Sequence, residues 1–133
     1  MRSILIAYAA TAVAFLAIDA VWLSTMVNSF YRPRLEGLLL DKPNLSAAGV
    51  FYVLYVAGAV FFAIVPNLET GNWGRAFVLG ALLGLFAYGT YDLTNLATLK
   101  GWSVAVTAAD MIWGATLTGL AAAVGTWAGY RFG

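Results

Sequence analysis

The sequence predicts an all-α, multi-pass membrane protein: a bundle of four transmembrane helices forming one domain over residues 1–133. Two observations carry this. Apolar types make up 62% of the chain and charged types 10%, against about 45–50% and about 25% in a soluble domain, and the mean hydropathy is +0.85. The apolar residues also gather in four runs of the length a bilayer demands, about 20 predominantly apolar residues in a helix.

The runs are 4–27, 47–65, 76–97 and 104–127. They consume most of the chain and leave no room for a soluble second domain. The first follows Met1-Arg2-Ser3, a basic start that resembles a secretory signal. Its apolar stretch is too long for a signal core and carries Asp19, so it reads as a retained helix. For the second, Ser46 is the expected N-cap and Pro66 the expected stop. The third carries Gly80-x-x-x-Gly84, a small-residue face for close helix approach. Gly114, Gly119, Ala122 and Ala123 thin the fourth in the same way. Such faces pack helices within one chain first, and they also suit a homo-oligomer. Between the runs, 28–46 is the one long connection, and its stretch Leu35 to Leu40 is expected to form a short interfacial helix. The connections 66–75 and 98–103 are turns.

Composition removes several function classes. Seven Lys and Arg against six Asp and Glu give a net charge of +1, with no basic stripe for nucleic acid. High hydrophobicity and low charge exclude disorder. There is no Cys and no His, so thiolate chemistry, imidazole metal ligands and the commonest general base are absent. Four helices put residues 1 and 133 on one side, side A, with Arg2, Arg75 and Arg131. Arg32, Arg34, Lys42 and Lys100 fall on side B. Three cations against four do not set an orientation.

The acids carry the functional signal. Glu36, Asp41 and Glu69 belong to connections, whereas Asp19, Asp92 and Asp110 fall inside expected spans with no Lys or Arg among them. An ionised Asp at a helix centre costs about 2.5–3.5 kcal/mol even on lenient insertion scales, and such residues usually mark function. Their other use is structural, as protonated, hydrogen-bonded residues that pack helices together. Counted from the side-B ends at 1.5 Å per residue, Asp19 is about 12 Å deep, Asp92 about 8 Å and Asp110 about 9 Å. Tyr52 and Tyr55 of the second run belong to the same layer. Helical spacing gathers Asp19 with Trp22, Tyr88 with Tyr91, Asp92 and Asn95, and Asp110 with Trp113. The side-A half is almost wholly Ala, Gly, Leu, Val, Ile and Phe. The expected product is a blind polar pocket that opens toward side B, with lipid outside.

Three chemistries suit that pocket. Neighbouring carboxyls can divide into a proton donor and a proton acceptor, which makes Asp19, Asp92 and Asp110 a candidate acid–base set. Tyr52, Tyr55, Tyr88, Tyr91 and Asn95 would orient a ligand, and Trp22 and Trp113 would stack on a flat or cationic group or simply pack the bundle. Arg32, Arg34, Lys42 and Lys100 stand over the mouth, where they would hold an anionic headgroup. No cofactor is expected. A hard cation such as Mg²⁺ is the remaining use for three carboxylates, but no D-D-x-x-D motif occurs and the nearest pattern is Asp92-Leu-Thr-Asn95. Asp19-Ala-Val-Trp22 and Asp110-Met-Ile-Trp113 share the form D-x-x-W; their positions along the helices speak for repeated use of one motif rather than a duplicated half.

The stretches Ala17-Ile18-Asp19-Ala20-Val21-Trp22-Leu23, Phe51-Tyr52-Val53-Leu54-Tyr55, Tyr88 to Trp102 and Asp110-Met-Ile-Trp113-Gly114 carry a resemblance. Over nearly its whole length the chain resembles a family of small bacterial predicted membrane proteins of unknown function. The resemblance implies a four-helix protein of the bacterial inner (cytoplasmic) membrane and brings no activity or cofactor with it. The expectation is therefore an integral membrane protein, surrounded by lipid, that binds an amphiphilic, lipid-like small molecule and transfers a proton on it. Two alternatives stand beside it: a proton- or cation-coupled small transporter acting as an oligomer, and a non-catalytic assembly subunit.

Overall fold

The structure is a computed structural model that describes all 133 residues, and it consists of helices joined by turns. Four helices are long and apolar enough to cross a membrane: α1 (Arg2–Arg34), α2 (Leu45–Leu68), α3 (Trp73–Thr98) and α4 (Val104–Phe132). Of 104 backbone hydrogen bonds, 94 close within helices, as a solvent without donors or acceptors requires. The outer surface is apolar, with Leu5, Val13, Val53, Phe61, Phe86 and Ile112 among its exposed side chains. Lipid is the solvent such a surface fits.

Each helix is longer than its apolar run, and the reasons are local. The expected stop at Pro66 does not stop α2, and α1 runs past the expected end at 27 into Arg32–Arg34, which contains Pro33. A proline inside an α-helix lacks the N–H for the residue four back and its ring strikes that carbonyl. In this chain a π-helical turn precedes each proline by two residues, Val27–Tyr31 before Pro33 and Val60–Ile64 before Pro66. The amides of Arg32 and Val65 bond five residues back, to Val27 and Val60. The widened turn takes up the missing donor, and the helix continues. Asn44 caps α2 in place of the expected Ser46, its side-chain oxygen accepting from the amide of Ala47 at 3.1 Å. Asn72 and Ser103 cap α3 and α4 in the same way. Leu35 to Leu40 forms turns rather than the expected interfacial helix. Gly37 breaks it with φ +82°, a left-handed conformation that glycine adopts without strain.

Packing is arranged around α4, which contributes more buried positions than any other helix. Small residues bring its neighbours close. A Cβ on Gly80 would lie 2.8 Å from both the Ala122 Cβ and the Thr118 carbonyl, and one on Gly84 would strike the Gly114 backbone. On the other face, a Cβ on Gly125 would strike the Thr11 hydroxyl, and one on Gly129 would come within 2.8 Å of Ser3 and Leu68. The Gly80-x-x-x-Gly84 face is thus used inside the chain. The side-A half is closed and mostly aliphatic, centred on Ala7, Ile64, Ala76 and Ala122. Of its buried polar groups, Thr11 and Asn67 bond to carbonyls of their own helices, while the Thr126 hydroxyl has no partner.

This packing predicts the effect of enlarging Gly84. Gly84→Leu must push α3 away from the Gly114 backbone and should lower stability by about 1–3 kcal/mol. Gly49→Leu, at a glycine with nothing within 4 Å, should stay within about 0.5 kcal/mol of the parent. Thermal unfolding in detergent compares the two, and equal shifts would contradict the close approach.

Candidate functional site

The side-B half of the bundle presents large aromatic side chains inward where the other half has Gly and Ala. Among them lies a cavity of about 670 Å³ lined by residues from all four helices and the 35–43 connection. Asp19, Asp92 and Asp110 all form part of its wall.

The carboxyls occupy two tiers. The deeper tier is Asp19, 8% exposed. Its Oδ2 accepts from the Tyr52 hydroxyl at 2.6 Å and its Oδ1 from the Trp113 indole N–H at 3.1 Å. Both oxygens are therefore held by neutral donors. The upper tier is Asp110 with Asp92. Asp110 Oδ1 accepts from the Tyr31 hydroxyl at 2.9 Å, and that hydroxyl in turn accepts from the Trp22 indole N–H at 3.0 Å. Asp92 is 0% exposed, and neither of its oxygens meets a donor. It lines the same cavity wall as Asp110. The one layer expected from counting residues is thus two tiers, since Asp19 is level with Trp113, about one helical turn deeper along α4 than Asp110.

The tiers are joined by a stack. Trp22 and Trp113 lie face to face with centroids 4.2 Å apart and planes 9° from parallel. The two D-x-x-W segments meet here crosswise. Trp113 serves the Asp of the other segment directly, and Trp22 serves Asp110 through Tyr31. The antiparallel course of α1 and α4 places Asp19 beside Trp113 at depth and Asp110 beside Trp22 above. Tyr88 fills the space left by Gly114, where a Cβ would strike its ring, and its edge packs on Tyr55 at 6.2 Å.

The structure separates the other residues singled out in the sequence. Trp22, Tyr52, Tyr88, Tyr91 and Trp113 line the cavity, with Tyr91 itself 56% exposed. Tyr55 does not; it packs edge-on against Phe15 and its hydroxyl pairs with Thr118 at 2.7 Å. Asn95 is half-buried outside the lining. Of the four side-B cations only Arg32 reaches the cavity. Arg34 covers the Phe30 ring at 4.2 Å, because α1 stays helical here and residues two apart lie about 200° around its axis. Lys42 and Lys100 are exposed. No group of three or more acidic side chains is placed to hold a metal ion.

Tyr31, Trp102 and the connection leucines Leu35, Leu38, Leu39 and Leu40 also line the cavity; none was expected in the site, and Leu35 to Leu40 was expected as an interfacial helix. A signal was present. Tyr31 follows Phe30 in a segment dense in apolar residues, and a connection that apolar needs a surface to cover. Tyr31 and Leu35 are buried against Val106.

A family model described as "Predicted membrane protein (DUF2177)" matches residues 4–127. No curated protein and no solved structure matches the chain.

The stacked indoles predict an exciton couplet in the far-ultraviolet circular dichroism spectrum. Trp22→Phe, Trp113→Phe and the double variant should each abolish it to the same extent, since one ring alone cannot couple. Independent, additive changes would contradict the stack. Tyr31→Phe removes the only donor to Asp110 and should destabilise the protein by about 1–3 kcal/mol, read as a drop in melting temperature against the parent.

Proposed function

The chain belongs to that family of predicted membrane proteins, and from this premise we propose that it binds an amphiphilic, lipid-like molecule in the side-B cavity and exchanges a proton with its head. The observation that carries the reading is the polarity gradient along the cavity. Fifteen of the twenty lining residues are hydrophobic, and the carboxyls are gathered at its inner wall while Leu38, Leu39, Leu40 and Pro43 come from the connection. That arrangement suits a polar head directed inward and an apolar tail under the connection. A volume of about 670 Å³ falls within the about 300–1,000 Å³ of small-molecule sites.

The carboxyls would take different parts. Asp19 has both oxygens engaged and serves as a fixed acceptor that positions the Tyr52 and Trp113 side chains. Asp110 accepts from the chain through Oδ1 alone. It is the group that would touch the head and move a proton, with Asp92 behind it as the second carboxyl. In this reading all three lie within the bilayer, and the closed aliphatic side-A half supports a blind site over a conduction path. The membrane would be the inner (cytoplasmic) membrane of a bacterium, as the resemblance implies.

The experiment is native mass spectrometry, with extraction of bound small molecules, on the parent and on Asp19→Asn, Asp92→Asn and Asp110→Asn purified from the same membranes. The expected outcome is an amphiphile that co-purifies with the parent and falls by about tenfold or more in the upper-tier variants, the size expected for losing one charge-assisted contact. A parent protein that carries no amphiphile, or variants that retain it fully, would overturn the proposal.

A further inference from the structure

The upper tier is a buried polar cluster whose bonding the chain leaves incomplete. Asp92 is sealed from solvent and has no donor on either oxygen, yet it belongs to the cavity wall. Asp110 stands half-buried beside it with only Oδ1 engaged by the chain. Buried carboxyls without donors carry a large desolvation cost, and a cation offsets it most directly. The chain brings none. Of seven Lys and Arg only Arg32 lines the cavity, and its Nε donates to the Asn28 side chain.

The surroundings of the pair are aromatic. Trp22, Tyr31, Tyr88, Tyr91, Trp102 and Trp113 all line the same cavity. Ring faces attract ammonium groups, most strongly where water is excluded, and aromatic walls beside a carboxylate are a recurring solution for binding alkylated amines. An anionic head has no such partner at depth, where it would meet carboxyls, and Arg32 is the one cation in the lining.

We infer that the cavity selects amphiphiles with a monovalent organic cation as head, an alkylammonium seated against Asp110 and the aromatic walls with the buried Asp92 behind. The inference rests on the reading of the cavity as an amphiphile site and names the class of ligand. Asp110 has one oxygen that the chain leaves free, room for one charge-assisted contact with an ammonium. Asp19 takes no part in this contact, because Tyr52 and Trp113 hold both of its oxygens.

The test uses the full chain in dodecyl maltoside with three probes of one chain length: hexadecylamine, hexadecanol and hexadecyl phosphate, offered in equimolar mixture and counted on the protein by native mass spectrometry. The amine should be bound about tenfold over the alcohol, the order expected for a charge-assisted contact in place of a neutral one, and the phosphate least. Asp92→Asn and Asp110→Asn should each bring amine and alcohol to near equality while alcohol binding persists, which reports that the cavity still folds. Asp110→Glu, which keeps the charge, should keep the preference. Equal binding of amine and alcohol to the parent would overturn the cationic selection and leave the amphiphile reading standing. A preference for the phosphate would overturn it in favour of selection by Arg32. Binding of none of the three would overturn both readings together.

Discussion

The stack of Trp22 on Trp113 is the contact on which the side-B half of the molecule depends. Two indoles 4.2 Å apart lock α1 and α4 in rotation about their axes. Each indole N–H then feeds a carboxyl, one directly and one through Tyr31. A carboxyl in an apolar bundle needs donors, and this chain has no cation to spare for that task. Neutral Trp and Tyr donors bound to a rigid stack meet the need without a charge. Asp19 is fully served this way and Asp110 half served, while Asp92 is left out. The order of satisfaction among the three is the order of their distance from the stack in hydrogen-bond terms.

The cavity exists because the size of the residues changes along α4. Gly119, Ala122, Gly125 and Gly129 let α1 and α3 approach to backbone distance. Toward the other end Trp113 and Asp110 take their places, with Tyr88 and Trp22 opposite. Helices that touch at one end and are wedged by aromatic rings at the other must leave a gap. The connection after α1 then covers it with leucines. Closure and cavity are two consequences of one sequence gradient.

The π turns before Pro33 and Pro66 serve this architecture differently. Before Pro66 the turn keeps α2 intact to Leu68, so that Ile64 and Leu68 reach the aliphatic core. Before Pro33 it adds one residue to a turn, which rotates all that follows by about 100° relative to a regular helix. Tyr31 and Leu35 are thereby set on the inner face and Arg34 on the outer one. A segment that looks like a polar, proline-broken loop becomes the wall that completes the upper tier.

By itself the sequence determined the class, the number of helices and most of the inner wall. Apolar runs of membrane length admit little besides helices, and a spacing of three or four residues places Asp19 with Trp22, Tyr88 with Asp92, and Asp110 with Trp113 wherever the helices go. Glycine spacing likewise announced the close face of α3. What only the tertiary structure decided are relations between helices and departures from regular helix. Periodicity carries no information on which donor reaches which carboxyl, so the crossed service of Trp22 and Trp113 and the orphaned Asp92 were not legible. Nor was the turn of Tyr55 toward Thr118, because its face of α2 depends on how that helix is rotated against α4. Arg34 looked like part of a cationic mouth, but the helix continuing through Pro33 turned it onto the Phe30 ring. Hydrogen bonds five residues back leave no mark in composition, and they settled which residues of 27–35 face the cavity.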